Sequence, residues 1–141
     1  MTVSINTEQL LAAYEWVSAA EASGLDGEAY VDRRTGAIHW AGEGVDEELP
    51  ADIDDDSLYV GVPRKSEFDL GRSLALRFVE EHLPEHREAV YGFFRKRGAY
   101  ASFKSLLARA GQLEAWHEYE DAATENALRD WCAVNGFELR A

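Results

Sequence analysis

The segment from Tyr91 to Gly111, which we call the basic segment, carries the side chains best suited to bind a charged ligand. It contains five cations and no acidic residue. Aromatic residues are interleaved with these cations at positions 91, 93, 94, 100 and 103. Cations of this kind can contact phosphates while neighbouring aromatic rings stack on bases. The pattern predicts an interaction face made of Arg95, Lys96, Arg97, Tyr100, Lys104 and Arg109.

Three interpretations of the basic segment remain open. In the first, its aromatic side chains are core residues, and its cations stabilise helix C-termini or pair with acidic residues 43–56. Arg95, Lys96 and Arg97 would then lie in the last turn of a helix. In the second, the cations bind an acidic protein partner. In the third, residues 91–109 contact RNA or single-stranded DNA.

The overall charge of the chain disfavours the nucleic-acid interpretation. The sequence has 27 acidic and 14 basic residues, which gives a net charge of −13. A surface this acidic repels nucleic acids and anionic membranes over distances up to the Debye length. We therefore expect a protein partner and no membrane association.

Acidic residues in the middle of the chain have the spacing of a calcium loop but lack its other requirements. Asp52, Asp54 and Asp56 alternate along the sequence. A calcium loop that starts at Asp52 needs Gly at its sixth position and Glu at its twelfth, where this chain has Ser57 and Pro63. The pattern is typical of a solvated acidic loop.

The histidines do not form a recognisable zinc site either. His82 and His86 are four residues apart, but Pro84 lies between them and breaks the helical geometry that would align two imidazoles. No further ligand accompanies them, and His117 has the neighbours of a salt-bridged helix face. The sequence therefore predicts no metal site.

Motifs for nucleophilic catalysis and nucleotide binding are absent. The sequence contains no Gly-x-Ser-x-Gly, no Walker loop and no Gly-x-Gly-x-x-Gly. The single cysteine, Cys132, lies in an apolar turn of a predicted helix and is expected to be buried. We predict no enzymatic activity and no cofactor.

The first half of the chain predicts one helix and a small sheet. Residues 7–23 form a helix that Asn6 or Thr7 can cap and that Gly24 can end. Residues 28–40 form a hairpin, with Gly36 at a position of positive φ. Residues 43–56, which we call the acidic connector, include eight acidic residues and no basic one. A strand follows at 58–62, with Leu58, Val60 and Val62 on one face.

The second half, residues 66–134, is mostly helical. Ser66 and Asp69 make a capping box for the second helix of the chain. Pro84 separates this helix from the third, which stops near Gly98, and the fourth ends at Gly111. A long helix covers roughly 113–134, and an edge strand follows at 137–139. The predicted fold class is α+β, with a small antiparallel sheet (the hairpin plus one or two further strands) against about five helices. Phe103 and Trp131 are predicted core residues.

Length and composition indicate one domain over residues 1–141. A chain of this size can bury one core, and 46% of its residues are hydrophobic. The N-terminus lacks the features of a signal peptide, and no apolar run is long enough to span a membrane. A single cysteine fits a reducing compartment, so we expect a cytoplasmic location.

Four segments resemble a bacterial family of uncharacterised proteins, numbered 0158 in the UPF series. They are YVDRRTGAI at 30–38, YVGVP at 59–63, RGAYASFK at 97–104 and WCAVNGF at 131–137. The resemblance covers roughly residues 28–139, and the third segment is its most specific part. The family has no established activity, cofactor or catalytic residue. The resemblance therefore supports the prediction of a single folded domain and implies no mechanism.

Overall fold

The protein has an α+β fold. A computed structural model describes residues 2–68 and 70–141. These residues form five α-helices, a three-stranded antiparallel sheet and a two-stranded parallel sheet. In chain order the elements are β1 (Val3–Asn6), α1 (Thr7–Ala22), β2 (Gly27–Asp32), β3 (Ile38–Gly42), β4 (Tyr59–Gly61), α2 (Arg72–His82), α3 (Arg87–Phe93), α4 (Ala99–Arg109), α5 (Leu113–Val134) and β5 (Phe137–Arg140). Two short 3-10 helices lie at Lys65–Phe68 and Pro84–His86.

The described residues form two compact units, each of which has most of its contacts within itself. The first unit comprises residues 2–68 and 127–141, and the second comprises residues 70–126. The prediction of one domain over residues 1–141 is not tested by this division and stays a prediction.

The antiparallel sheet of the first unit confirms the predicted hairpin. Strand β2 is central and pairs with β3 on one side and with β4 on the other. Gly36 in the hairpin turn has φ +79°, and a Cβ at this position would lie 2.1 Å from the carbonyl oxygen of Ser4. Glycine is therefore required here both for backbone conformation and for space.

Helix α1 follows the local signals in the sequence closely. Asn6 accepts a hydrogen bond from the backbone N–H of Gln9 at 2.9 Å, which is the predicted N-cap. The buried stripe of the helix includes Leu10, Tyr14 and Val17. Gly24 follows with φ +71°, so the helix ends where the sequence predicts.

Two details of the strands differ from the prediction. Strand β4 is only three residues long, and Tyr59 is buried within it, whereas Leu58 and Val60 are half-buried. Strand β1 was not predicted, and it pairs in parallel with β5 from Val3↔Phe137 to Asn6↔Arg140. A strand of four residues is too short for a clear hydrophobic pattern. Its partner strand is distant in the sequence, so no neighbouring residue indicates the pairing.

The second unit begins its helices later than the sequence predicts. Helix α2 starts at Arg72, whereas Ser66 lies in a 3-10 helix and donates its hydroxyl to a carboxylate oxygen of Glu21 at 2.6 Å. Asp69, the other half of the predicted capping box, lies outside the described residues. Pro84 separates α2 from α3, as predicted, and helices α4 and α5 span the predicted ranges.

Three aromatic side chains pack together among the buried aliphatic residues of the second unit. Phe103 and Phe78 are fully buried, and Trp116 is 1% exposed. The ring of Trp116 lies edge-on to Phe103 at 5.1 Å and to Phe78 at 5.4 Å. The prediction for Phe103 is confirmed. The prediction for Trp131 is wrong: this residue belongs to the first unit, and its half-buried ring tilts against Phe137 at 5.8 Å.

Candidate interaction surface

The first three cations of the basic segment lie in a turn and not in a helix. Helix α3 ends at Phe93 and α4 begins at Ala99. Arg95, Lys96 and Arg97, which we call the basic turn, occupy the connection. The prediction that they lie in a last helical turn is wrong, because the backbone bonds here are turn bonds: Lys96 N–H donates to the Phe93 carbonyl at 3.1 Å.

This position limits what the basic turn can contribute to helix stability. A cation stabilises a helix when it lies near the C-terminus and destabilises a helix when it lies near the N-terminus. The basic turn follows α3, which has only seven residues, and is separated from the start of α4 by Gly98 alone. Gly98 precedes α4 with φ +74° and provides no side-chain cap for its first N–H groups. The two dipole interactions therefore oppose each other.

All six residues of the predicted interaction face are exposed. Within residues 70–126, the described part of their own unit, the five cations make no side-chain hydrogen bond or ion pair. Exposed cations without a partner in their unit are available to a ligand. This is the condition that binding by Arg95, Lys96, Arg97, Lys104 and Arg109 requires.

Most aromatic residues of the basic segment are not available for stacking. Phe103 is fully buried, and Phe93 and Phe94 are half-buried. Tyr91 is also half-buried, and its hydroxyl donates to a carboxylate oxygen of Glu80 at 2.8 Å. Tyr100 is 38% exposed and is the exposed ring of the segment. One exposed ring is a narrow platform for nucleic-acid bases, which usually stack on several.

Helix α4 presents its two cations on different flanks. Successive residues of an α-helix are about 100° apart, so Lys104 and Arg109 point about 140° away from each other. Lys104 lies near Tyr100, whereas Arg109 shares a strip with Ser102 and Ser105. Lys104 and Arg109 therefore lie on two different sides of α4 and cannot both contact the same small group.

A depression of about 460 Å³ lies on the Arg109 flank of α4. Its lining combines a guanidinium group, two hydroxyl groups and apolar surface. The lining residues are Phe93, Ala101, Ser102, Ser105 and Arg109. Sequence reasoning found Arg109 but missed the two serines, because serine in a helix carries no signal of its own until neighbouring residues are placed.

The acidic connector of the first unit is bound by cations outside the basic segment. Arg33 donates from Nε to the carbonyl oxygen of Asp56 at 2.9 Å. Arg34 donates from Nη2 to the Tyr59 hydroxyl at 3.0 Å, and this hydroxyl donates to Asp52 at 3.0 Å. Two hairpin arginines that the sequence analysis did not single out thus hold one end of the connector.

The other end of the connector covers the outer edge of strand β3. The carboxylate of Glu47 accepts a hydrogen bond from the backbone N–H of Trp40 and lies 3.3 Å from Nδ1 of His39. An unpaired edge strand can pair with another chain, and a charged group bonded to its backbone blocks this. The connector is therefore structural as well as solvated.

Asp32 is the one buried charged residue in the described part of the chain. It accepts hydrogen bonds from the Arg34 backbone N–H at 2.7 Å and from Arg34 Nε at 3.1 Å and Nη2 at 3.2 Å. Burial raises the pKa of Asp32, but the hydrogen bonds and charge of Arg34 outweigh this and hold the pKa below its ordinary value. An ionised carboxylate fixed in this way holds the hairpin turn together.

A cleft of about 520 Å³ in the first unit is lined by charged side chains that already bond one another. Arg64 donates from Nη2 to the Gly27 carbonyl oxygen at 3.2 Å, and its Nε lies 3.6 Å from Glu21. Glu28 accepts from the Tyr30 hydroxyl, and this bond raises the pKa of Tyr30 to about 12. No nucleophile or histidine is among the residues known to line this cleft.

The candidate metal residues are dispersed among other contacts. Within residues 2–68 and 70–141, no three His, Cys, Asp or Glu side chains are grouped to hold a metal ion. Asp52 accepts from the Tyr59 hydroxyl, and the His82 ring stacks on Phe78 at 4.6 Å. The absence of a metal in the purified protein stays a prediction.

Cys132 is buried, as predicted, at 1% exposure. Burial raises the pKa of its thiol to about 11, although the nearby charge of Arg129 opposes the shift. Only the thiolate attacks disulfide reagents, and a pKa of about 11 leaves very little of it at neutral pH.

We therefore expect Cys132 to react with Ellman's reagent far more slowly in the native protein than in urea. Absorbance of the released thiolate at about pH 8 measures both rates, since an ordinary thiol with a pKa of about 8.5 is partly ionised there. A native rate equal to the rate in urea would mean that the thiol is accessible and ionised, contrary to its burial.

The comparisons with known proteins leave the chain without a relative on which to base an assignment. It matches no protein-family model, no curated protein and no solved structure. The similarity to the uncharacterised family is therefore a prediction from four short segments. Among the described residues, no helix is both long and apolar enough to cross a membrane.

Proposed function

We propose that this protein is a non-enzymatic interaction module that binds an acidic segment of a partner protein through the exposed cations of its second unit. The residues that would carry the binding are Arg95, Lys96, Arg97, Tyr100, Lys104 and Arg109. The single cysteine suits a reducing compartment, so the proposed location is the cytoplasm.

The observation that supports this proposal is that the cations of the basic turn are exposed and form no ion pair within residues 70–126. Three consecutive cations also repel one another. The dipole of α4 adds to the local positive potential. An anionic group that docks here meets favourable interactions from all of these charges at once, and a long-range field of this kind also accelerates encounter.

An acidic protein segment fits this surface better than a nucleic acid. The whole chain carries a net charge of −13, which opposes the approach of a long polyanion from most directions. A short acidic segment needs only the local positive surface, because charges beyond a Debye length are screened. Tyr100 can pack against an apolar side chain of such a segment.

The test replaces Arg95, Lys96 and Arg97 with alanine together. Because these side chains are exposed, the free energy of unfolding is expected to change by about 0.5 kcal/mol or less. Binding of a fluorescent glutamate-rich peptide is expected to weaken by at least roughly tenfold at low ionic strength, as measured by anisotropy. The wild-type affinity is expected to fall as salt is added.

The matched control removes the same charge from elsewhere in the same unit. Arg72, Arg77 and Arg87 are also exposed, and their triple alanine variant is expected to retain most of the peptide affinity. Equal losses in both variants would indicate an effect of net charge alone. A wild-type protein that binds a single-stranded RNA more tightly than the acidic peptide would favour the nucleic-acid function instead.

A further inference from the structure

The depression beside α4 places one cation at a defined distance from the basic turn. Phe93, which lines the depression, ends α3 two residues before Arg95, the first residue of that turn. Arg109 lies at the opposite end of α4, which is eleven residues long. At a rise of about 1.5 Å per residue, the two ends of α4 are roughly 16 Å apart.

The side chains around the depression suit an oxyanion with an apolar neighbour. The guanidinium of Arg109 offers several N–H donors in a plane that matches a carboxylate, and Ser102 and Ser105 offer hydroxyl donors on the same strip. Phe93 and Ala101 provide apolar surface in the same depression. No acidic side chain is among the residues known to line it.

We infer that this depression is a second subsite for the same acidic segment, receiving one of its carboxylate side chains together with an adjacent apolar residue. The inference rests on the proposed function, since the basic turn would bind the other acidic group. An extended chain advances about 3.3 Å per residue, so roughly 16 Å corresponds to about five residues. The partner segment therefore has two acidic sites about five residues apart, with an apolar residue beside the second.

Of the two cations on α4, only the one on the same flank as the depression can contribute to the subsite. Arg109, Ser102 and Ser105 share the strip that borders the depression, whereas Lys104 points about 140° away from Arg109. Lys104→Ala is therefore a matched control for Arg109→Ala. Both changes remove one exposed cation from the same helix.

The experiment compares two fluorescent peptides of identical composition and net charge. In the spaced peptide, two glutamate pairs are about five residues apart and a leucine adjoins the second pair; in the contiguous peptide, all the glutamates are adjacent. The spaced peptide is expected to bind several-fold more tightly. R109A is expected to weaken the spaced peptide by roughly fivefold and the contiguous peptide much less. K104A is expected to weaken both peptides by the same smaller factor, because Lys104 belongs to the proposed face but does not line the depression.

A conservative variant separates geometry from charge. R109K keeps the positive charge at the end of α4 but loses the planar fork, so it is expected to recover only part of the affinity for the spaced peptide. Far-UV circular dichroism of each variant checks that α4 remains folded. A further variant with Ser102 and Ser105 changed to alanine is expected to weaken the spaced peptide selectively.

Failure of the subsite and failure of the proposed function give different results. If R109A, like K104A, weakens both peptides by the same factor while the triple alanine variant of the basic turn still loses binding, the subsite is wrong and the proposed function stands. If the wild-type protein binds neither peptide at low ionic strength, the proposed function itself is wrong.

Discussion

Replacing Phe103 with alanine is expected to lower the free energy of unfolding by about 3–5 kcal/mol, the range typical of a fully buried phenylalanine. Phe103 is 0% exposed, and its ring contacts that of Trp116 at a centroid distance of 5.1 Å. Truncation removes this aromatic contact and leaves a cavity that helix α4 cannot fill without moving. The loss therefore combines transfer free energy with the loss of packing.

Trp131 provides the comparison, because the sequence predicts that it too is a core residue. Its ring is half-buried, so W131A is expected to cost only about 1–2 kcal/mol, from partial burial and the contact with Phe137. Urea denaturation followed by far-UV circular dichroism measures both variants without relying on tryptophan fluorescence. A cost for W131A equal to that of F103A would mean that Trp131 is a core residue after all.

Replacing Asp32 with alanine is expected to cost roughly 2–3 kcal/mol at neutral pH. The change removes a buried carboxylate that accepts three hydrogen bonds from Arg34, and bonds to charged groups contribute more than neutral ones. The loss is limited because the side chain of Arg34 is 52% exposed and can be solvated by water once Asp32 is gone.

The effect of Asp32 depends on pH in a known direction. The pKa of Asp32 is lower in the folded protein than its ordinary value of 3.8. Its ionised form therefore stabilises the fold above the unfolded pKa, and this stabilisation is lost as the pH falls through the folded pKa. The difference in unfolding free energy between wild type and D32A is expected to be constant above about pH 5 and to shrink below about pH 4.

Asp52 gives a control within the same network. It is exposed and accepts one hydrogen bond from the Tyr59 hydroxyl, so D52A is expected to cost less than about 1 kcal/mol. Urea denaturation at several pH values measures all three proteins. A difference between wild type and D32A that grows as the pH falls would show that Asp32 is not held in its ionised form.

The elements that depend on neighbouring residues could be predicted from the sequence. Helix α1 begins at the cap that Asn6 provides and ends before Gly24, and the hairpin turns at Gly36. Capping, positive φ and helical periodicity act within a few residues, so their signals are present in the local sequence. The α+β class followed from the order of these elements.

Burial and pairing across the chain could not be predicted in the same way. The β1–β5 pair joins residues such as Val3 and Phe137, and nothing near Val3 indicates its partner. Trp116 and Trp131 have similar helical surroundings in the sequence, but only Trp116 is fully buried. Which side of a helix meets other elements is a property of their packing and not of the helix itself.

Some features of the candidate surface likewise follow from the sequence, whereas others follow only from the tertiary structure. The sequence alone determined that five cations lie together in an acidic chain, because charge is a property of residue type. Only the tertiary structure decided that Arg95, Lys96 and Arg97 form a turn, that Phe103 is buried while Tyr100 is exposed, and that Arg109 borders a depression with Ser102 and Ser105. Exposure and direction depend on where α3 and α4 end and pack, and those positions follow from contacts between residues that are distant in the chain.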